Sequence, residues 1–352
     1  MAVVEGLAGA GLDYHLPEGL EAHAPPEMLG ITRDAVRLMV STGPDAHVHT
    51  TFSDLPRFLR AGDLLVLNTS ATVPAALPVL EHDAAPELVL HLSTPLPGGL
   101  WLTELRRPEG FGTAMFDAAG PGDLQLPGGA SAELLAPFGD GRRLWFTALH
   151  LREPLLPYLA RHGRPIRYAY AGGAWPLSAY QNVYASDPGS AELASAGRPF
   201  TADVLTRLVT KGVRIAPLVL HTGVSSAEAN EAPAPERFAV PLSTARLVNE
   251  TKHEGGRVIA VGTTVVRALE TVTDETGAAH PGDGWTELVV TPARGVRAVD
   301  AMITGWHPPR ASHLLLLEAL AGRPMLEGAY ASAVEARYRW HEFGDSHLLL
   351  PA

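Results

Sequence analysis

The chain has 352 residues, 46% hydrophobic and 18% charged, with a formal net charge of −11. That composition specifies a globular chain with room for two domains, and the acidic balance argues against broad nonspecific nucleic-acid binding while leaving a local arginine patch open. Cysteine is absent, which excludes disulfides, thiolate nucleophiles, cysteine-ligated zinc and cysteine-held iron–sulfur clusters.

The opening stretch, MAVVEGLAGAGLDY, has neither a basic start nor a long apolar run, so no signal peptide is expected. The longest apolar run, from Leu314, is too short to span a bilayer. A soluble cytoplasmic protein without membrane contact is the expectation. His47-Val48-His49 has the spacing of two metal ligands on one strand face, but nothing assigns the further ligands a metal would need. GDLLVLN (62–68) reads as a buried strand after a turn.

After Pro74 the texture changes. ELVLHLS, WLTEL, DLQLP, SAELL and RRLWFTAL are short strand signals separated by Gly- and Pro-rich turns. That rhythm predicts a small antiparallel barrel or sandwich over about 75–152. It would be inserted in a larger α/β domain made of 1–74 and 153–352. In that second part Thr201 caps a helix with Val204, Leu205, Leu208 and Val209 on one face, ending at Gly212. RIAPLVLHTG reads as a strand, and a helix near 243–254 leads into the strand VIAV. VVRALETV, LLLLEALAG and GAYASAVEARYRW follow as helices, and SHLLL closes the chain as a strand. Repeated αβ units imply a largely parallel sheet or an α/β barrel.

Several positions point to chemistry, each with a plainer reading beside it. VIAV runs into Gly262-Thr263-Thr264 and then a helix carrying Arg267. Free amides at a helix start and the helix dipole favour an anion, and Arg267 reaching back would add a two-pronged grip. On local sequence alone, an ordinary βα turn with a Thr cap and a surface arginine is the favoured reading. His221 ends an apolar strand, where ligand crevices form, or is a hydrogen-bonded histidine at a core edge. Trp306-His307-Pro308-Pro309 is a rigid turn suited to binding, or Trp306 fills a core gap. Asp345 is an acid before the last strand, or a turn residue. No Gly-x-Ser-x-Gly elbow is present, so a serine hydrolase has little support.

Taken together, YHLPEGLEAHAP, HTTFSDLPRFLRAGDLLVLNTSATVPAAL, YQNVYASDPGSAELASAGRPF, LVLHTG, VIAVGTTVVRALE, ITGWHPPRASHLLLLEALAG and AYASAVEARYRWHEFGDSHLLL resemble, in order and over nearly the full length, the S-adenosylmethionine:tRNA ribosyltransferase-isomerase family of queuosine biosynthesis. The resemblance implies a large barrel-like α/β domain with an inserted small β-barrel. It also implies S-adenosylmethionine as ribosyl donor, no metal, and a tRNA anticodon carrying 7-aminomethyl-7-deazaguanine as acceptor. Epoxyqueuosine, adenine and methionine would be the products. Under it, His49 belongs to a family pattern. Gly262, Thr263, Thr264 and Arg267 would hold the donor's carboxylate, and Trp306 would lie against its adenine or sulfonium. His307 would lie beside Trp306, His221 would serve as the base, and Asp345 would hold a ribose hydroxyl or act as a supporting acid. Tyr180, Gln181, Tyr184, Ser195 and Gly197 would contact substrate.

The chain departs from the family pattern in three segments. Ala71 and Ala76 stand where arginines are expected, Pro199 replaces a histidine, and Glu231 and Ala234 occupy two further histidine positions, with Glu236 kept. Fewer positive charges weaken RNA binding. That keeps two other expectations open: an enzyme acting on a small-molecule acceptor, and a non-catalytic protein that binds the donor or an RNA.

Overall fold

A computed structural model describes residues 11–80, 87–116, 118–139, 143–224 and 234–351. In chain order the strands and helices are β1 (Arg37–Gly43), β2 (Ala46–Thr51), β3 (Leu64–Asn68), β4 (Ser70–Thr72), β5 (Ala76–Val79), β6 (Leu88–Pro95), β7 (Leu100–Glu109), β8 (Gly112–Met115), β9 (Gly122–Leu126), β10 (Ala130–Pro137), β11 (Leu144–His150) and α1 (Leu155–His162). They continue with β12 (Asp187–Ser190), α2 (Ala202–Thr210), β13 (Arg214–Leu220), β14 (Glu236–Val240), α3 (Leu242–His253), β15 (Val258–Val261), α4 (Thr263–Thr271), β16 (Gly282–Thr286), β17 (Ala301–Thr304), α5 (Ser312–Ala321), α6 (Arg323–Glu335) and β18 (Ser346–Leu349).

Nine strands form the large sheet in the order β16-β14-β13-β3-β15-β17-β18-β1-β2. Its centre is parallel: β13, β3, β15 and β17 run side by side in one direction. β3, β15 and β17 are buried at every position because both faces are covered, whereas β13 alternates, with Ala216, Leu218 and Leu220 buried and Pro217 exposed. Antiparallel neighbours extend the sheet at β14, β16, β18 and β2, so the whole is mixed. The fold class is mixed α/β with a second, antiparallel sheet, as the sequence implies.

Helix starts and ends follow local chemistry. The Thr201 hydroxyl accepts from the Val204 amide at 3.2 Å, capping α2. Gly212, at φ +91°, turns the chain into β13. Helix α4 buries Val265, Val266, Ala268 and Leu269 against the sheet, each large side chain contributing about 1.5–3 kcal/mol when fully covered.

The second sheet has seven strands, β5-β6-β7-β11-β10-β9 with β8 on β7. It is nearly closed, because the Leu80 amide donates to the Gln125 carbonyl at 2.8 Å and joins the β5 end to β9. Its core holds Leu77, Leu90, Leu92, Leu105, Leu134 and Trp145, and Tyr158 and Leu159 of α1 pack into the same cluster. Ala76 and Arg164 exchange two backbone hydrogen bonds of 2.9 Å, so the strand entering the barrel touches the chain leaving α1. No helix among the described residues is long and apolar enough to cross a membrane.

Candidate functional site

The parallel strands β3, β13, β15 and β17 end at Asn68, Leu220, Val261 and Thr304 on one edge. In open α/β sheets, ligands sit outside these carboxyl ends. Asn68 organises the edge. Its Nδ2 donates to the Leu220 carbonyl at 2.8 Å and to Thr264 Oγ1 at 3.3 Å. Its Oδ1 accepts from the Leu220 and Ser70 amides at 3.0 and 3.1 Å. Asn68 is not among the residues the sequence reading singled out. The signal was available: an amide side chain ending an otherwise apolar strand needs hydrogen-bond partners if it is buried.

Gly262 adopts φ +93°, ψ 157° between β15 and α4, a conformation that costs any residue with a side chain. The turn therefore presents the first amides of α4, with Thr263 and Thr264, at the same edge. Arg267 does not reach back over them. Its Nε donates to the Leu288 carbonyl at 3.0 Å, one terminal nitrogen to the Thr286 carbonyl at 3.3 Å, and the other to the Glu236 carboxylate. Glu236 in turn accepts from the Gly223 amide at 2.9 Å. The direct two-pronged grip expected of Arg267 is thus spent inside the protein. Its position in the second turn of α4 aims it at β14 and β16, where a carboxylate and two carbonyls meet it. The outcome is a buried pair that ties the His221-Thr222-Gly223 loop to α4.

His221 stands just beyond β13. Its Nδ1 lies 2.7 Å from Ser70 Oγ, which lies 2.6 Å from Ser190 Oγ. Its ring faces a cleft of about 200 Å3 between the large sheet and the barrel, where Leu92, Trp101, Leu156, Gly189 and Arg237 also line the wall. Burial, then the Arg237 guanidinium, lowers its imidazole below the ordinary value, against an opposing pull from Asp187. Alone among the residues expected to act, His221 lines this cleft.

Trp306 is 2% exposed. Its ring stacks on His347 at 4.6 Å and meets Tyr330, Tyr338 and Trp340. A side chain so enclosed meets a ligand only if that aromatic cluster opens. His307 stacks on His313 at 4.7 Å and its Nε2 lies 3.0 Å from Thr304 Oγ1; burial holds both rings below the ordinary histidine value, His313 at about 4. Asp345 accepts from the Arg37 and Arg339 amides, each at 2.8 Å. Its carboxyl is raised by burial against those bonds. Both oxygens are occupied in holding the turn before β18.

The five residues expected to meet substrate lie together on the stretch between α1 and α2. Tyr180 is buried against Phe343 at 5.4 Å. The Gln181 amide accepts from the Thr72 amide at 3.0 Å and donates to its carbonyl at 2.7 Å, acting as a strand partner for β4. Tyr184 packs on Phe200. Ser195 opens a short 3-10 turn, and Gly197 lies so close to Tyr184 that a Cβ would come within 2.0 Å of its hydroxyl. Arg198 is buried, bonded to Glu27 at 2.7 Å and to the Ala179 carbonyl at 2.9 Å, so it does not stand in for the missing arginines. Ala76 lines a second cavity, of about 360 Å3, with Arg164 and Arg167. Glu231 lies outside the described residues. His47 and His49 engage Ser41, Pro44, Tyr338 and Ser332 rather than each other.

A crevice at the carboxyl edge of parallel strands, faced by a second, nearly closed antiparallel sheet, is a place where α/β proteins commonly bind ligands. The profile of a family described as queuosine biosynthesis protein matches residues 10–349. The S-adenosylmethionine:tRNA ribosyltransferase-isomerase of Symbiobacterium thermophilum is 36% identical, over 96% of this chain and 98% of that one. The enzyme of the same name from Thermus thermophilus is 38% identical, over 95% and 100%. The crystal structure of the S-adenosylmethionine tRNA ribosyltransferase from Thermotoga maritima superposes with a TM-score of 0.53 at 29% identity, covering 96% of this chain and 99% of that one. The chain belongs to the queuosine biosynthesis protein family.

Proposed function

We propose that the protein transfers and isomerises the ribosyl moiety of S-adenosylmethionine onto 7-aminomethyl-7-deazaguanine in a tRNA anticodon, giving epoxyqueuosine and releasing adenine and methionine. The observation that carries this reading is similarity along almost the whole chain to enzymes named for that transfer, at 36–38% identity. The chemistry asks for a proton to leave C5′ next to the sulfonium, for the amine to attack C1′, and for adenine to depart. The donor's carboxylate is assigned to the amides and hydroxyls of the Gly262-Thr263-Thr264 turn, which Arg267 supports through Glu236. The nucleoside is assigned to the cleft beside His221. Tyr180, Gln181, Tyr184, Ser195 and Gly197 shape the wall on the acceptor side, and His307, Trp306 and Asp345 hold the edge from behind. The discontinuous unit of 1–74 and 153–352 then supplies the donor site, and the inserted unit of 75–152 closes over it.

The lost arginines favour a second reading, with a small-molecule acceptor. One feature supports RNA instead: Arg164 pairs with Ala76 of β5 through an isolated antiparallel bridge, so its side chain leaves the same face as the one Ala76 lacks. An adenine-release assay separates the readings. Under the tRNA reading, adenine and methionine appear only with an anticodon stem-loop bearing the aminomethyl base, and Arg164→Ala makes the salt dependence of stem-loop binding shallower by about 0.7–0.9 in log–log slope. Release with a free amine or deazapurine and no RNA assigns the small-molecule acceptor. No release in either arm overturns the enzymatic reading.

A further inference from the structure

We propose that His221 serves the reaction as a neutral hydrogen-bond donor, locked with its hydrogen on Nε2, and that Ser70 and Ser190 are the positioning residues that lock it. The proposal rests on the reading above only in placing the donor's nucleoside in the cleft.

The direction of the hydrogen-bond chain carries the inference. The Thr222 amide donates to Ser190 Oγ at 3.0 Å; an amide has no other option, so this end of the chain is fixed. Ser190 Oγ is 2.6 Å from Ser70 Oγ, and Ser70 Oγ is 2.7 Å from His221 Nδ1. Ser190 and Ser70 are 1% and 4% exposed, so both hydroxyl hydrogens need acceptors. Among the described residues, the Ser190 hydroxyl has Ser70 as its acceptor, and Ser70 then has Nδ1. Every donor is satisfied in that direction. Reversed, with Nδ1–H donating to Ser70 and Ser70 to Ser190, the chain ends on a buried Ser190 hydrogen with no acceptor, which is unfavourable.

A neutral imidazole has one donor nitrogen and one acceptor nitrogen. With Nδ1 accepting, Nε2 carries the hydrogen. No hydrogen bond within the described residues engages Nε2, and the ring lines the cleft. Protonating the ring would place a hydrogen on Nδ1 and force the whole chain to reverse. Arg237, lining the same cleft, opposes that added charge, and Asp187 is the charged group pulling the other way. Backbone packing fixes the ring plane as well: a Cβ on Gly189 would lie 2.6 Å from Nδ1. The base expected for the C5′ proton is His221. An Nε2 that already bears hydrogen cannot accept that proton; it offers a hydrogen bond to a lone pair on a purine nitrogen or a ribose oxygen.

Two measurements test this. His221→Gln keeps an amide N–H close to the place of Nε2–H and cannot act as a base. A donor role predicts adenine release within roughly tenfold of wild type for His221→Gln and at least about a hundredfold lower for His221→Ala. A base role predicts that both variants lose a hundredfold or more, since a general base typically supplies about 10²–10⁴, and that result overturns the proposal. Independently, nitrogen-15 NMR of the histidine rings, with His221 identified by its loss in His221→Gln, should show Nδ1 as the bare nitrogen. Ser70→Ala should mix the tautomers and Ser70→Thr should restore one. A bare Nε2 in the wild-type protein overturns the proposal whatever the turnover. If the wild-type protein releases no adenine with any RNA, the functional reading falls, and the NMR result still decides the tautomer.

Discussion

Removing the Arg267 guanidinium should cost the protein both stability and donor affinity, and the structure sets the scale. Arg267 is 9% exposed, and the Glu236 side chain it meets is 13% exposed. Arg267→Ala leaves that carboxylate with the Gly223 amide as its remaining partner, and strips the Leu288 and Thr286 carbonyls of a donor. Breaking one side of a buried ion pair costs about 3–5 kcal/mol. Water entering the emptied space offsets part of this, so about 3–4 kcal/mol is expected. Glu236→Gln keeps the acceptor for Gly223 and removes the charge, and should cost about 1–2 kcal/mol. The double variant Arg267→Ala/Glu236→Gln should be more stable than the sum of its singles by at least about 1 kcal/mol. Urea denaturation followed by tryptophan fluorescence measures these differences. Titration calorimetry with S-adenosylmethionine should show at least about tenfold weaker binding for Arg267→Ala, or about 1.4 kcal/mol, because the loop bearing His221 loses its tie to α4. Stability within about 1 kcal/mol of wild type, or additivity in the double variant, would refute the reasoning.

Gly197→Ala would place a Cβ 2.0 Å from the Tyr184 hydroxyl and 2.7 Å from Asn182 Nδ2, and should destabilise by about 1–3 kcal/mol. Tyr184→Phe in the same chain should recover most of that loss in urea, since the nearest clash is with the hydroxyl. Glu342 is pushed up to about 8, by burial first and by Glu192 second. The folded chain therefore holds a proton at Glu342 that the unfolded chain gives up near its ordinary value of 4.5, so stability falls as pH rises from about 4.5 to 8. Glu342→Gln should flatten the dependence of urea midpoint on pH across that window; an unchanged slope would contradict the assignment.

The elements that were legible in the sequence are those whose signals are local. Thr201 and Gly212 bracket α2, the apolar runs at 64–68 and 258–261 are buried strands, and Gly262 divides strand from helix where the chain needs a positive φ. Long-range pairing was less so. The short strands β14 and β16 gain their identity from each other and from β13, and nothing in Glu236–Val240 alone announces an antiparallel extension. At the site, residue type pointed to His221 but could not give its tautomer, because Ser70 and Ser190 reach it from 151 residues away in one case and through a third segment in the other. Arg267 illustrates the same limit. Helical spacing places it one turn into α4, while Glu236, 31 residues earlier, decides where it points. Trp306 and Asp345 each had a structural reading in the sequence, and their surroundings match it: an aromatic cluster for one, two backbone amides for the other.

The stitch between Ala76 and Arg164 has a topological consequence. The long excursion that builds the barrel and α1 begins and ends at neighbouring points, so most of the entropy of closing it is spent within the excursion itself. To the parent sheet it is a graft with a narrow stalk. Its turns can lengthen or change composition without shifting the register of the strands beneath, so its outer surface is free to diversify while the carboxyl edge of the parallel strands stays put.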